Sequence, residues 1–83
     1  MQYFVYILFS PSKGKYYIGH TQDLVNRLFR HNNSGSKATK QAKDWVLVYQ
    51  EPYKSRSEAY KREKFIKNRK SRSFIQLLID STG

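Results

Sequence analysis

Eighty-three residues carry sixteen Lys and Arg against six Asp and Glu, a formal net charge of +10, and contain no cysteine. That length allows one small core and excludes two, and the absence of thiols excludes disulfides and thiolate zinc sites while remaining compatible with a reducing cytoplasm. The cationic excess selects phosphate backbones or anionic lipid, and nucleic acid is favoured because no segment joins a broad apolar face to basic flanks.

The chain opens on Met1-Gln2 with no basic leader or small-residue cleavage site, so no export signal is expected and the location expected is cytoplasmic. Its longest apolar run, Phe4 to Phe9, falls far short of the roughly 20 residues that cross a bilayer. Seven Tyr, five Phe and one Trp supply enough buried area per residue for a single domain over residues 1–83 to fold without staples.

Residues Tyr3 to Phe9 read as a strand with two apolar faces, Phe4, Tyr6 and Leu8 on one and Tyr3, Val5, Ile7 and Phe9 on the other, which predicts a central position in its sheet. Ser10 to Gly14 has turn composition and leads to a second strand, Lys15 to His20, as a hairpin. Thr21 is the expected N-cap of a helix reaching about Asn32, with Leu24, Val25, Leu28 and Phe29 as its apolar face. Asn33 to Ser36 ends that helix, and the polar stretch through Lys43 reads as a mobile basic loop. A third strand is expected over Asp44 to Tyr49, closed by Pro52. Ser55 and Glu58 form a capping-box signature for a second helix running to about Lys67. A shorter helix starts near Ser71 or Ser73 and is expected to bury Phe74, Ile75, Leu77, Leu78 and Ile79. The order is ββαβαα and the fold class α+β.

On a helical wheel Arg27 and His31 fall beside Leu24, at the border of the core. Taken alone they also fit a solvated Arg paired with Asp23 one turn earlier and a His favoured by the helix dipole. Glu63 stands among Lys61, Arg62, Lys64 and Lys67 in the second helix, yet its phase lies between Ala59 and Ile66, toward the packing side. A Glu63 to Lys67 pair explains its presence but not that inward phase; a carboxylate at a core edge is also a ligand for a hard divalent cation. Taken alone, Tyr6 and Tyr17 each read as packing residues, and a reactive phenol needs cationic help because its reference pKa is near 10. His20 fits either a site residue or a hydrogen-bonded strand end. Trp45 reads as a core residue, and Lys37, Lys40, Lys43, Lys67, Arg69, Lys70 and Arg72 form a phosphate-attracting set.

In this order the residues resemble the GIY-YIG nuclease superfamily, in particular small stand-alone bacterial members related to the N-terminal domain of the excision-repair excinuclease. Phe4-Val5-Tyr6 stands at the first motif and Tyr17-Ile18-Gly19 at the second, with ten residues between the tyrosines. Gly19 to Leu24, Arg27 to Asn32, and Ala59-Tyr60-Lys61-Arg62-Glu63 continue the series. The resemblance implies a three-stranded antiparallel sheet with the first strand central and helices packed against it. It also implies a Mg²⁺- or Mn²⁺-dependent endonuclease acting on DNA or structured nucleic acid, in a DNA-repair setting, with a protein partner supplying target choice. Tyr6 then acts as or assists the general base, Tyr17 positions the water or phosphate, and Arg27 stabilises charge on the scissile phosphate. His31 serves proton transfer or phosphate contact, Glu63 is the metal ligand, and His20 takes the place of a further polar site residue.

Two positions depart from the family pattern. Phe4 replaces the first motif's glycine, and where some relatives carry an asparagine after the acid this chain reads Phe74-Ile75-Gln76-Leu77-Leu78. A non-cleaving nucleic-acid-binding module on the same fold is therefore the alternative reading, using basic residues for backbone contact and exposed aromatics for stacking. A ribonucleoprotein-type RNA platform, suggested by Gly14-Lys15-Tyr16-Tyr17, requires four strands.

Overall fold

The structure, a computed structural model, describes residues 2–33, 39–40 and 42–81. Its elements run β1 (Tyr3–Ser10), β2 (Lys15–Thr21), α1 (Leu24–Asn33), β3 (Val46–Tyr53), α2 (Arg56–Arg69) and α3 (Arg72–Asp80). The expected ββαβαα order is present, and the sheet is antiparallel with strand order β2-β1-β3. Three strands among the described residues remove the four-stranded RNA platform.

β1 is central because both of its faces are apolar, and each face builds a separate core. Val5 and Ile7 join Ile18, Ala59, Ile66 and Ile75 under α2 and α3, while Tyr6 and Leu8 join Ala42 and Trp45, with Leu24 and Leu28 of α1 packed on top. Burying such a side chain fully contributes about 1.5–3 kcal/mol, so Val5, Tyr6, Ile7 and Leu8 make β1 the anchor of the molecule.

Turn chemistry fixes the hairpin. Gly14 takes a positive φ of 62°, and its N–H donates to Ser10 O at 2.7 Å. Asp44 ties this turn to the start of β3 by accepting from Ser10 Oγ at 2.6 Å and from the Ser12 N–H at 2.8 Å. Those two bonds hold the Asp44 carboxyl below its ordinary pKa. β3 pairs with β1 through one irregularity: Leu8 lies opposite Leu47 and Ile7 opposite Tyr49, so Val48 is an extra residue, a β-bulge.

Several local expectations are corrected. Thr21 ends β2 instead of capping α1; the cap is Asp23, whose Oδ1 accepts from the Asn26 N–H at 3.0 Å, while Thr21 Oγ1 accepts from the Asp23 N–H. Val25 and Phe29 point outward, 83% and 65% exposed, because α1 turns His31 and Arg27 inward together with Leu24 and Leu28. Pro52 lies inside β3, opposite Phe4, which an edge strand tolerates because its outer N–H positions need no ladder partner. Leu77 is 65% exposed, since α3 meets the core only through Phe74, Ile75, Leu78 and Ile79. In the polar stretch before β3, Thr39 and Ala42 are buried, so that part of the expected basic loop is packed into the core.

Ser55 caps α2 as its sequence predicts, accepting from the Glu58 N–H at 3.2 Å, and Ser71 caps α3 in the same manner at 3.1 Å. Lys70 ends α2 in the left-handed region, and its N–H donates to Lys67 O.

Candidate active site

β2 is an edge strand, so side chains from both faces of the sheet meet around its free side. Tyr17, Gly19 and Thr21 face α1; Tyr16, Ile18 and His20 face α2 and α3. On the α1 face Tyr6 Oη bonds His31 Nε2 at 2.9 Å, and His31 Nδ1 bonds Thr39 Oγ1 at 2.9 Å. The Tyr17 ring lies 4.7 Å from the His31 ring and 6.3 Å from that of Tyr6. His31 is only 5% exposed and Tyr6 1%.

Gly19 explains the small residue of the second motif. It lies opposite Tyr6 in the ladder, and a Cβ there would fall 2.6 Å from Tyr6 Oη and 3.2 Å from the Tyr17 ring. Only glycine leaves room for the phenol to reach His31. Phe4, which replaces the first motif's glycine, sits opposite Thr21 and Pro52, beyond Tyr6 on the same strand face.

Around β2's edge, Glu63 projects from α2 with the inward phase expected of it, 8% exposed between Ala59 and Ile66. His20 Nδ1–H donates to Glu63 Oε1 at 2.6 Å, and Lys67 Nζ donates to Glu63 Oε2 at 2.6 Å. The Glu63 to Lys67 pair thus forms, and the carboxylate is inward as well. Tyr60 supports the imidazole edge-on, its ring centroid 6.0 Å from that of His20. Lys67 also reaches toward the other face, with Nζ 5.9 Å from the Tyr17 ring centroid.

Electrostatics separate the two proton-bearing groups. Burial, reinforced by Tyr17, pushes the Tyr6 phenol well above its usual range, and Arg27 pulls the other way by charge and hydrogen bonding. Glu63 adds to the upward push, which ties the two faces of the edge electrically. Burial, then the charges of Arg27 and Arg30, hold His31 below its ordinary value, so its imidazole is neutral at pH 7. A neutral ring whose Nδ1–H donates to Thr39 leaves Nε2 free to accept the Tyr6 hydroxyl proton.

Of the sequence-predicted residues, Tyr6, Tyr17, Arg27, His31, His20, Glu63 and Lys67 gather at this edge. Lys40 and Lys43 are exposed between α1 and β3; Lys37 lies outside the described residues. Arg69 stacks over Phe74 at 4.8 Å, and Lys70 with Arg72 lines a groove beside Tyr16. Gln76 accepts from Tyr16 Oη at 3.1 Å and donates to Asp80, on the α3 side of the sheet away from the Tyr6 face. Thr39 escapes sequence reasoning: it falls in a polar stretch with no periodicity, and nothing in its neighbours marks it. Asn32 is the other omission. Its side-chain amide takes both backbone groups of Trp45, accepting from N–H at 2.8 Å and donating to O at 3.0 Å, and so fixes where β3 begins.

A three-stranded antiparallel sheet flanked by helices, with two tyrosines, an arginine, a histidine and a carboxylate around one edge, defines a class of small α+β domain. The chain belongs to the GIY-YIG family: the GIY-YIG catalytic domain matches residues 2–76. Domains of this family are typical of endonucleases. A UPF0213 protein of Staphylococcus epidermidis is 45% identical over 67 residues, covering 80% of each chain. A UPF0213 protein of Staphylococcus saprophyticus is 36% identical over 78 residues, 93% of this chain and 94% of its own. The solution NMR structure of a UPF0213 protein from Bacillus halodurans superposes with a TM-score of 0.62 at 31% identity, over 100% of this chain and 87% of that one. The names of these relatives state no activity. No helix among the described residues is long and apolar enough to cross a membrane.

Proposed function

We propose that the chain is a divalent-metal-dependent endonuclease hydrolysing phosphodiester bonds of DNA or structured nucleic acid. The observation that carries this reading is the meeting of the Tyr6–His31–Thr39 chain with Arg27 and the inward carboxylate of Glu63 around one strand edge.

The residues fit a hard cation with a single protein ligand. Glu63 offers carboxylate oxygens from the middle of a basic helix, and the group bonded to its Oε2 is the 47%-exposed Lys67, free to swing away. No three His, Asp or Glu side chains cluster among the described residues, so a cation at Glu63 would draw its other ligands from water and phosphate, as is common for Mg²⁺. Glu63 would hold Mg²⁺ or Mn²⁺ there, and the chemistry such an ion would supply is polarisation of the scissile phosphate and stabilisation of the leaving oxygen. His20 holds Glu63 in orientation through its Nδ1–H.

Proton transfer belongs to the other face. Tyr6 stays protonated at neutral pH, so it works as a relay: its oxygen accepts a proton from the attacking water as its own proton passes to His31 Nε2. Thr39 keeps His31 in the tautomer that receives it. Tyr17 positions the water or phosphate, and Arg27 presents its guanidinium to charge developing on the phosphate. Lys40, Lys43, Lys67, Arg69 and Lys70 attract the backbone, with Lys37 as a further member of that set. The expected setting is cytoplasmic, with target choice left to a protein partner.

Fluorescently labelled single-stranded, nicked and flap DNA, incubated with Mg²⁺ or Mn²⁺, tests this. Wild type is expected to cleave, and Glu63→Ala and Arg27→Ala to lose cleavage while keeping the wild-type circular dichroism. Unchanged activity in both variants would sink the assignment. Salt-dependent binding without turnover under any divalent cation would replace it with the binding module.

A further inference from the structure

Beside the proposed centre, at the end of the sheet where β2 leaves and α1 and α2 begin, lies a cavity of about 320 Å³. Its polar lining comes from separate segments: His20 from β2, Asn26, Arg27 and Arg30 from α1, and Arg56 from the first turn of α2. Arg27 and Arg30 stand three residues apart and so share one helix face. Arg56 approaches from the other helix, with its guanidinium carbon 5.5 Å from the Tyr3 ring centroid, a stacking contact that orders it before anything binds. Three guanidiniums thus converge from two helices on one concavity. The acid in the lining, Asp23, commits its Oδ1 to the Asn26 N–H as the cap of α1.

Resting on the nuclease reading above, we propose that this cavity is a second phosphate subsite, taking the phosphate next to the scissile one, with Arg30, Arg56 and Asn26 as its binding residues. The chemistry matches. Planar guanidiniums bind phosphate oxygens in pairs, and an open concavity with guanidiniums on two sides selects a single group over the diffuse attraction of a flat basic surface. Continuity fixes the position along the strand. Two lining residues also belong to the proposed centre: Arg27, which acts on Tyr6, and His20, which bonds Glu63. A phosphate in the cavity therefore lies within one nucleotide step of a phosphate at Glu63, on one side of the cut only. The subsite then fixes which way the strand runs through the centre.

The test replaces one phosphate at a time by neutral methylphosphonate on either side of the cleavage position in a labelled DNA strand. On one side, wild-type kcat/KM is expected to fall about tenfold, a loss of order one charge-assisted contact. Arg30→Ala/Arg56→Ala is expected to start lower on unmodified DNA and lose nothing more at that position. Equal losses in wild type and variant at every position would overturn the subsite and leave the nuclease reading intact. Binding in EDTA gives a readout independent of turnover: the loss of one neutralised phosphate in the double variant lowers the slope of log affinity against log salt by about 0.7 on single strands. An unchanged slope, with the Arg30→Ala variant melting as wild type, overturns the subsite even if no cleavage is ever seen; absent cleavage with a reduced slope overturns the nuclease reading alone.

Discussion

Glu51 and Glu63 are both largely buried carboxylates on the α2 side of the sheet, and their partners differ in kind. Glu51 receives the Tyr49 hydroxyl, the Tyr53 hydroxyl at 2.8 Å, and two parallel bonds from Arg62 at 3.0 Å each. Burial alone would raise its pKa, but the bonds from Arg62, Tyr49 and Tyr53 outweigh it and hold the carboxyl low. The cost appears on the phenols: burial and the bond to Glu51 push Tyr49 up to about 12. Four fixed donors leave Glu51 no capacity for a ligand, and its work is to clamp β3 to α2. Glu63 has two partners, one an imidazole and the other a half-exposed ammonium. A carboxylate is available for chemistry when its partners can leave.

Substituting both acids separates the two roles most sharply. Glu63→Gln is expected to lower cleavage at least about a hundredfold while the protein melts near the wild-type temperature. Glu51→Gln should do the reverse: a loss of about 3 kcal/mol of stability from a broken buried pair, with activity per folded molecule retained. Thermal melts and single-turnover cleavage on the same preparations check both, and a large stability loss in Glu63→Gln would erase the distinction.

Lys67→Ala asks whether the ammonium competes with the cation. Removing a positive charge 2.6 Å from Glu63 Oε2 should lower the half-saturating Mn²⁺ concentration by about three- to tenfold, measured by titrating cleavage. A requirement that rises instead would make Lys67 part of the site's support and not its gate.

The smallest effect is in pH. His31 is held below its unfolded pKa of about 6.5, so the unfolded chain takes up a proton first as pH falls. Its contribution is complete above about 6.5 and is lost as pH drops toward the folded value. The melting temperature should therefore decline modestly on acidification below 6.5, and His31→Gln should remove that decline. Glu51 and Asp44, both depressed, add a second loss at lower pH, below the ordinary carboxylate range.

Much of this is legible from residue pattern. The two apolar faces of β1 announce a central strand, the phase of Glu63 between Ala59 and Ile66 announces burial, and Ser55 announces the start of α2. The wheel puts Arg27 and His31 at the core border but centres α1 on the wrong side. Both halves of that helix carry two large apolar residues, and what turns Val25 and Phe29 out is the hydrogen bonding available to His31 from Tyr6 and Thr39. Such a choice depends on partners far apart in the chain, and hydrophobicity is silent about it. Glu51 escapes notice for the same reason, since its donors come from alternate residues of its own strand and from a helix eleven residues on.

The bulge at Val48 has a bearing on this division of labour. In an unbroken strand, positions 45, 47, 49, 51 and 53 would all project to one side. The additional residue inverts that parity midway, sending Leu47 with Trp45 toward the histidine relay and Tyr49, Glu51 and Tyr53 toward the clamp. One strand thereby furnishes two unrelated compartments. Deleting Val48 would leave that division in place, since Leu47 and Tyr49 already face Leu8 and Ile7 in turn; drawing Val48 into the ladder as an ordinary strand residue would instead mix the compartments, placing a carboxylate under α1 or the tryptophan under α2.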